Sequence, residues 1–115
     1  MTGSKREFAM AVTAVIFVVM IIVTFRATNQ MSIPQAWPSY AANPWAVATL
    51  YDAYSGFVIY WMWVAYRERS NGTRILWFVL IMALGNIATS AYLFWQLKSL
   101  APGEPLENAI VRRTQ

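Results

Sequence analysis

The chain of 115 residues contains no cysteine and no histidine. Without cysteine there are no disulfides, no thiolate ligands for zinc or iron–sulfur clusters, and no thiol nucleophile. Without histidine the chain lacks the usual axial ligand of haem and the commonest general base of hydrolases. These absences predict no metal site, no intrinsic cofactor and no catalytic residues, and they favour a non-catalytic protein over an enzyme.

Charged residues are also scarce, at 12% of the chain, whereas 58% of the residues are hydrophobic and 16% are aromatic. This balance is far from that of a soluble domain and predicts an integral membrane protein. The net charge of +4 would then set the orientation of the chain and attract anionic lipid. We therefore expect membrane lipids as partners and no nucleic acid.

The apolar residues are grouped into three long runs, Phe8 to Phe25, Ala46 to Tyr66 and Ile75 to Leu97. A helix needs about 20 residues to cross about 30 Å of hydrocarbon, and each run is close to that length. The sequence thus predicts an all-α integral membrane protein with three transmembrane helices, about 8–25, 46–66 and 75–97. They would form a single membrane domain over residues 1–115.

The connections between the runs differ in length. Residues 26–45 are rich in proline and aromatic residues, which predicts a surface loop held at headgroup depth. Asn43 and Pro44 suit the capping and first positions of the second helix. The connection 67–74 is short, so helices two and three are predicted to form an antiparallel hairpin. Residues 98–115 form a polar tail.

Basic residues near the helix ends predict the orientation, because lysine and arginine accumulate on the cytoplasmic side. One side carries five of them and the other carries two: Lys5, Arg6, Arg67, Arg69 and Arg74 against Arg26 and Lys98. This asymmetry predicts a multi-pass protein of the cell (inner) membrane. The N-terminus and the hairpin connection would be cytoplasmic, and the long loop and the C-terminus would lie outside.

Asp52 is the one charged residue inside these runs. A carboxylate at the centre of a bilayer helix costs roughly 2.5–3.5 kcal/mol, so it normally faces protein or water. Counting inward from the helix ends places it at the depth of an amide and several hydroxyl groups, which predicts an interhelical polar cluster or ligand-binding site. Its members would be Asp52, Asn86, Ser90, Thr49 and Thr89. Two interpretations stay open: Asp52 locks the hairpin, or it binds a ligand or carries a proton.

Large aromatic residues crowd the cytoplasmic half of the second helix. Together with Trp77, at matching depth on the third helix, they predict an aromatic groove. Its members are Phe57, Tyr60, Trp61, Trp63 and Trp77. A bound lipid, quinone or carotenoid would fit flat rings of this kind. An interfacial aromatic belt and ordinary helix packing explain the same residues without a ligand.

Three stretches carry a family resemblance: NPWAVATLYDAYSGF, YRERSNGTRILWFVLIMALGN and SAYLFWQL. They resemble a family of small membrane proteins from plants and bacteria that is catalogued only as a domain of unknown function. The distinctive positions are Asn43, Pro44, Asp52, Gly56, Arg67, Trp77, Gly85 and Asn86. The resemblance implies three helices with an intramembrane aspartate on the second, and it does not supply an activity. A more distant similarity links the pattern to membrane proteins associated with neoxanthin synthesis, which implies carotenoid or isoprenoid chemistry.

Three functions are compatible with these features. The first is a small accessory subunit that packs against and stabilises a larger membrane protein complex. The second is a protein that binds or modifies a carotenoid, quinone or other isoprenoid and uses Asp52. The third is a proton or ion pathway in a homo-oligomer, in which copies of Asp52 surround a pore.

Overall fold

The computed structural model describes residues 2–112, with side chains from residue 4 onward, and every regular element in this range is helical. The elements are α1 (Thr2–Gln30), α2 (Ile33–Ala41), α3 (Pro44–Arg67), α4 (Asn71–Leu84), α5 (Asn86–Lys98) and a 3₁₀ turn (Leu106–Ala109). The predicted start of α3 is confirmed, because Asn43 Oδ1 accepts from the amides of Trp45 and Ala46 at 3.0 and 3.3 Å. The segment 26–45 is mostly helical, since α1 continues to Gln30 and α2 follows it.

Gly85 divides the third apolar run into two helices. Its φ of 58° and ψ of −127° lie in a region that residues with a Cβ rarely adopt. A Cβ at this position would also come within 3.0 Å of Phe57 Cζ. Beyond Gly85 the chain turns back, so that Trp77 of α4 packs against Tyr92 of α5 with ring centroids 4.8 Å apart. We call α4, Gly85 and α5 the Gly85 hairpin.

The prediction of three transmembrane helices is wrong. Within residues 2–112, one helix is long and apolar enough to cross a membrane, Ser4–Gln30, with a mean hydropathy of 2.8. The Gly85 break leaves α4 and α5 with 14 and 13 residues, or about 20 Å each, which is short of the hydrocarbon thickness. The 24 residues of α3 are long enough, but Asp52 and the many tyrosines and tryptophans lower its hydropathy.

The helix ends converge at one end of the molecule. Arg6 Nε, near the start of α1, donates to the carbonyl oxygen of Leu97 at 2.9 Å, near the end of α5. Arg67, at the end of α3, also reaches α5 through Gln96. We call residues 4–7, 67–74 and 96–112 the basic end. The predicted separation of the N-terminus from the tail is therefore not supported.

Neighbouring helices run antiparallel around a small core. Tyr54 of α3 donates to the carbonyl of Met82 at 2.9 Å, and Trp61 donates to that of Arg74 at 2.9 Å. α1 packs mainly against α5, and the second half of α1 is exposed. The buried hydrophobic residues are few among those described: Val64, Ile81, Ala88 and Tyr92 form one cluster, and Leu97, Leu100 and Ala109 form another. Much of the apolar surface thus remains outside.

Candidate functional site

A buried ion pair lies at the basic end, where α3 ends. Arg67 and Glu68 are 4% and 6% exposed, and Arg67 Nη1 lies 3.4 Å from Glu68 Oε2. Arg67 Nη1 also donates to Gln96 Oε1, and the Tyr92 hydroxyl donates to Glu68 Oε2 at 2.5 Å. These four residues, Arg67, Glu68, Tyr92 and Gln96, form the Arg67–Glu68 cluster. It joins the end of α3 to α5 by charge-assisted hydrogen bonds, which are stronger than neutral ones.

The tail closes over one side of this cluster. Arg67 Nη2 donates to the carbonyl of Asn108 at 3.1 Å, and Trp63 Nε1 donates to that of Ile110 at 2.8 Å. Between them Ala109 is fully buried. The tail is in turn shaped by Glu104, whose carboxylate accepts from the Ala101 amide and the Asn108 side chain at 2.8 Å each. These two donors hold the pKa of Glu104 below its usual value.

The chemistry available to the Arg67–Glu68 cluster is structural. Removing one partner of a buried ion pair costs about 3–5 kcal/mol, so the pair resists separation of α3 from α5. Arg67 Nε is buried and has no hydrogen-bond partner among residues 4–112, which adds to the cost of burying this side chain. No group of three acidic, histidine or cysteine side chains in the same range could hold a metal ion. Glu68 also lacks a second carboxylate within the cluster with which to divide acid and base roles.

The predicted polar cluster is only partly assembled. Asn86, Thr89 and Ser90 meet at the start of α5, where Thr89 Oγ1 donates to Asn86 Oδ1 at 3.0 Å and Ser90 Oγ donates to the Asn86 carbonyl at 2.6 Å. Asp52 is exposed on α3, and its side chain makes no hydrogen bond with any residue that the structure describes. Thr49, one turn away from it, donates to the carbonyl of Trp45 at 2.8 Å. A ligand-binding or proton-carrying role for Asp52 stays a prediction.

The predicted aromatic groove is occupied by the protein's own packing. Phe57, Tyr60, Trp61, Trp63 and Trp77 are partly buried and pack against the Val64–Ile81–Ala88–Tyr92 core. Tyr92 lies at the centre, with its ring centroid 5.5 Å from that of Trp63 and 6.4 Å from that of Tyr60. Edge-to-face pairs of this kind add about 0.5–1.5 kcal/mol beyond their buried area. Helix packing therefore explains these rings.

Sequence reasoning does not find the Arg67–Glu68 cluster. The hydropathy pattern places Arg67 and Glu68 at a solvated helix end, and it places Gln96 near the opposite end of a span. The signal that could have brought them together is Gly85, because an isolated glycine in a helical run can mark a helix end. Once the chain turns there, the end of α5 returns to the start of α4, which follows the end of α3 after only three residues.

Over residues 2–112, the fold and its buried cluster define a small helical protein with one helix long and apolar enough to cross a membrane. A family model described as protein of unknown function (DUF1475) matches residues 3–114, so the chain belongs to this family. The predicted resemblance to a domain of unknown function is thereby confirmed. No curated protein and no solved structure matches the chain, and nothing in the comparisons supports the similarity to proteins of neoxanthin synthesis.

Trp63→Phe should loosen the tail while leaving the helices packed. Phenylalanine retains the ring contact with Tyr92 but cannot donate to the Ile110 carbonyl, so about 0.5–1.5 kcal/mol of local stability should be lost. Hydrogen exchange at the Ile110 and Val111 amides, which bond to the Glu107 carbonyl, should become several-fold faster. Trp45→Phe is the matched control, because Trp45 is 82% exposed. Unchanged exchange in Trp63→Phe would mean that this hydrogen bond does not hold the tail.

Proposed function

We propose that this chain is a small membrane protein whose first helix crosses the bilayer, and that it serves as an accessory subunit that stabilises a larger membrane complex. The observation that carries the proposal is the position of Asp52. Asp52 is exposed on an apolar and aromatic surface of α3. Tyr51, Ile59 and Met62 on the same helix are exposed as well. Such a surface requires another protein to cover it.

The membrane part of the proposal rests on α1. Val15, Ile16, Val18 and Val19 are exposed on one side of the helix, and every residue from 21 to 30 is exposed, so the second half of α1 is open all round. The candidate span of 27 residues is about 40 Å long and exceeds the hydrocarbon thickness. A helix that is apolar all round is stable only when it is buried in protein or lipid. Because the rest of the chain covers only the first half of α1, lipid supplies the remaining cover.

The basic end then marks the cytoplasmic side. Lys5, Arg6, Arg69, Arg74 and Lys98 belong to it, whereas Arg26 lies at the far end of α1. Because of the Gly85 hairpin, Lys98 lies on the same side as the other basic residues. The difference in lysine and arginine number between the two sides is therefore larger than the sequence alone indicates. In this arrangement α3 runs back through the bilayer in the direction opposite to α1. The Gly85 hairpin enters the bilayer from the cytoplasmic side without crossing it. Both ends of the described chain are then cytoplasmic.

Exposed polar groups on α3 and at the tip of the Gly85 hairpin are the reason for proposing a partner. Asp52 precedes Arg67 by 15 residues, or about 22 Å along α3. Asn86, at the tip of the hairpin, is also exposed and lies at a similar distance from the basic end. Polar groups and broken backbone at membrane depth are tolerated only against protein or a water-filled cavity. A partner that donates hydrogen bonds to Asp52 and covers the hairpin tip satisfies both groups.

Site-specific photo-crosslinking in native membranes tests this role. A benzoylphenylalanine in place of Gly56, which is one turn from Asp52 and has open space around it, should give one discrete adduct with another polypeptide. The same probe in place of Val19, which is exposed on α1, should react with lipid and give no protein band. Asp52→Leu should abolish the adduct at Gly56, and Asp52→Asn should weaken it, because the amide can still accept one hydrogen bond.

The mass of the adduct separates the alternatives. A foreign polypeptide supports the accessory role. An adduct of twice the mass of the chain would instead support the homo-oligomer with Asp52 around a pathway, which is also compatible with an exposed carboxylate. Equal labelling from both positions, or no protein adduct at Gly56, would contradict the accessory role.

A further inference from the structure

Two grooves meet on the surface of α5 near the basic end. The first has a volume of about 320 Å³ and lies between α4 and α5. Its lining consists of Glu68, Thr73, Trp77, Ala91, Trp95 and Gln96. It therefore combines hydrogen-bonding groups at the level of the helix ends with an apolar floor.

The second groove has a volume of about 270 Å³ and lies between α1 and α5. Its lining is entirely apolar: Ala14, Phe17, Val18, Ala91, Phe94 and Trp95. Because Ala91 and Trp95 line both grooves, the two are adjacent, and the small side chain of Ala91 separates them only slightly. We call the pair the Ala91 groove.

The Ala91 groove has its polar groups at one end. Thr73 and Gln96 lie beside the basic end, whereas Phe17 is 11 residues beyond Arg6, or about 16 Å deeper along α1. This order matches an amphiphile with a polar head and an apolar chain. Trp95, 62% exposed, stands at the mouth, where an amphipathic ring is favoured.

The charge at the mouth identifies the kind of head group. Lys98 is exposed and follows the groove residue Trp95 by three positions, so the two side chains lie on the same face of α5. The negative charge of Glu68 is offset, because its carboxylate already accepts from Tyr92 and pairs with Arg67. The mouth is thus positive toward solvent. A lysine or arginine near a membrane surface favours anionic over neutral lipid by about fivefold for each charge.

We infer that the Ala91 groove binds one anionic phospholipid, with an acyl chain along α1 and α5 and the head group beside Lys98. The inference rests on the membrane insertion proposed above. It is independent of the partner at Asp52, because the groove lies on α5 and Asp52 lies on α3.

Quenching of tryptophan fluorescence by brominated lipids tests the inference. The full chain is reconstituted in phosphatidylcholine vesicles that contain the same minor fraction of brominated phosphatidylglycerol or brominated phosphatidylcholine. The contribution of Trp95 is the difference between the native chain and Trp95→Phe. At this fraction, quenching of Trp95 should be several-fold stronger with brominated phosphatidylglycerol than with brominated phosphatidylcholine, and high salt should reduce this preference.

Two variants at the groove sharpen the result. Lys98→Gln should lower the preference about fivefold, whereas Arg26→Gln, which removes the same charge at the far end of α1, should leave it unchanged. Ala91→Leu should remove the preference by filling the groove. Lys98→Gln changes an exposed side chain, so it remains informative even if Ala91→Leu does not fold.

The outcomes distinguish this inference from membrane insertion itself. Equal quenching of Trp95 by both brominated lipids would overturn the anionic-lipid site and leave the inserted α1 intact. A loss of preference in Arg26→Gln as large as that in Lys98→Gln would likewise overturn the site, because net charge alone would explain it. The absence of quenching by either lipid would overturn both the site and the insertion.

Discussion

Arg67→Met should cost about 3–5 kcal/mol of stability, because removing one partner of a buried ion pair is strongly destabilising. Methionine keeps much of the length and apolar volume of arginine, so the loss reports on the guanidinium rather than on a cavity. The variant also removes the donor to the Asn108 carbonyl and one partner of Gln96. The free energy of unfolding in detergent, followed by circular dichroism, is the measurement.

Two companion variants make this result specific. Lys98→Met removes an exposed positive charge from the same end of the molecule and should change the free energy of unfolding by less than about 0.5 kcal/mol. Combining Arg67→Met with Glu68→Gln should recover part of the loss, because the remaining amide is neutral and can still accept from Tyr92. If Arg67→Met is no more harmful than Lys98→Met, the buried ion pair does not stabilise the fold.

Gly85→Ala should disturb the hairpin and cost about 1–3 kcal/mol, because alanine is strained at the φ and ψ of this residue. Its Cβ would also crowd Phe57, which packs over the turn. Gly56→Ala is a closely matched control. Gly56 lies within α3, and a Cβ added there would meet open space, so alanine should be neutral or stabilising by up to about 1 kcal/mol.

A distance measurement reports directly on the turn at Gly85. Spin labels introduced by Gly72→Cys and Ser99→Cys use a chain that has no native cysteine. A straight helix between these positions would place the labels about 40 Å apart, whereas the hairpin brings both to the basic end and should give a much shorter distance. Gly85→Ala should broaden the distribution or shift it to longer values. A distance near that of the straight helix in the native chain would refute the hairpin.

Sequence reasoning succeeds where local chemistry decides the outcome. Asn43 and Pro44 start α3 because a side-chain acceptor and a fixed φ act within one turn. The unbroken apolar run of α1 likewise needs no tertiary information, since its length and composition alone suit a membrane span.

The hairpin cannot be predicted in the same way. A glycine inside a helix costs only about 1 kcal/mol relative to alanine, so Gly85 is compatible with a continuous span. The break is stabilised by distant contacts, including the hydrogen bond from Tyr54 to the Met82 carbonyl and the Phe57 ring beside Gly85. Neither contact is visible in a pattern of hydropathy.

The same limit applies to the candidate site, because counting residues predicts depth along a helix but not the side on which a residue lies. Counting residues places Asp52 and Asn86 at one depth, but the side of α3 that faces α4 depends on packing. Phe57 and Trp61 take that side, which leaves Asp52 exposed. Two partners of Arg67, Gln96 and Asn108, lie 29 and 41 residues further along the chain. Only the hairpin and the tail bring them near Arg67.

The tail contacts also have a consequence for biosynthesis. Trp63 and Ile110 are 47 residues apart in sequence, so α3 leaves the ribosome well before the segment that closes over its end. Until that segment has emerged, Arg67 cannot make its hydrogen bond to the Asn108 carbonyl. The middle of α3 bonds to residues 13 and 28 positions away, in α4, so the end of the helix is covered later than its middle.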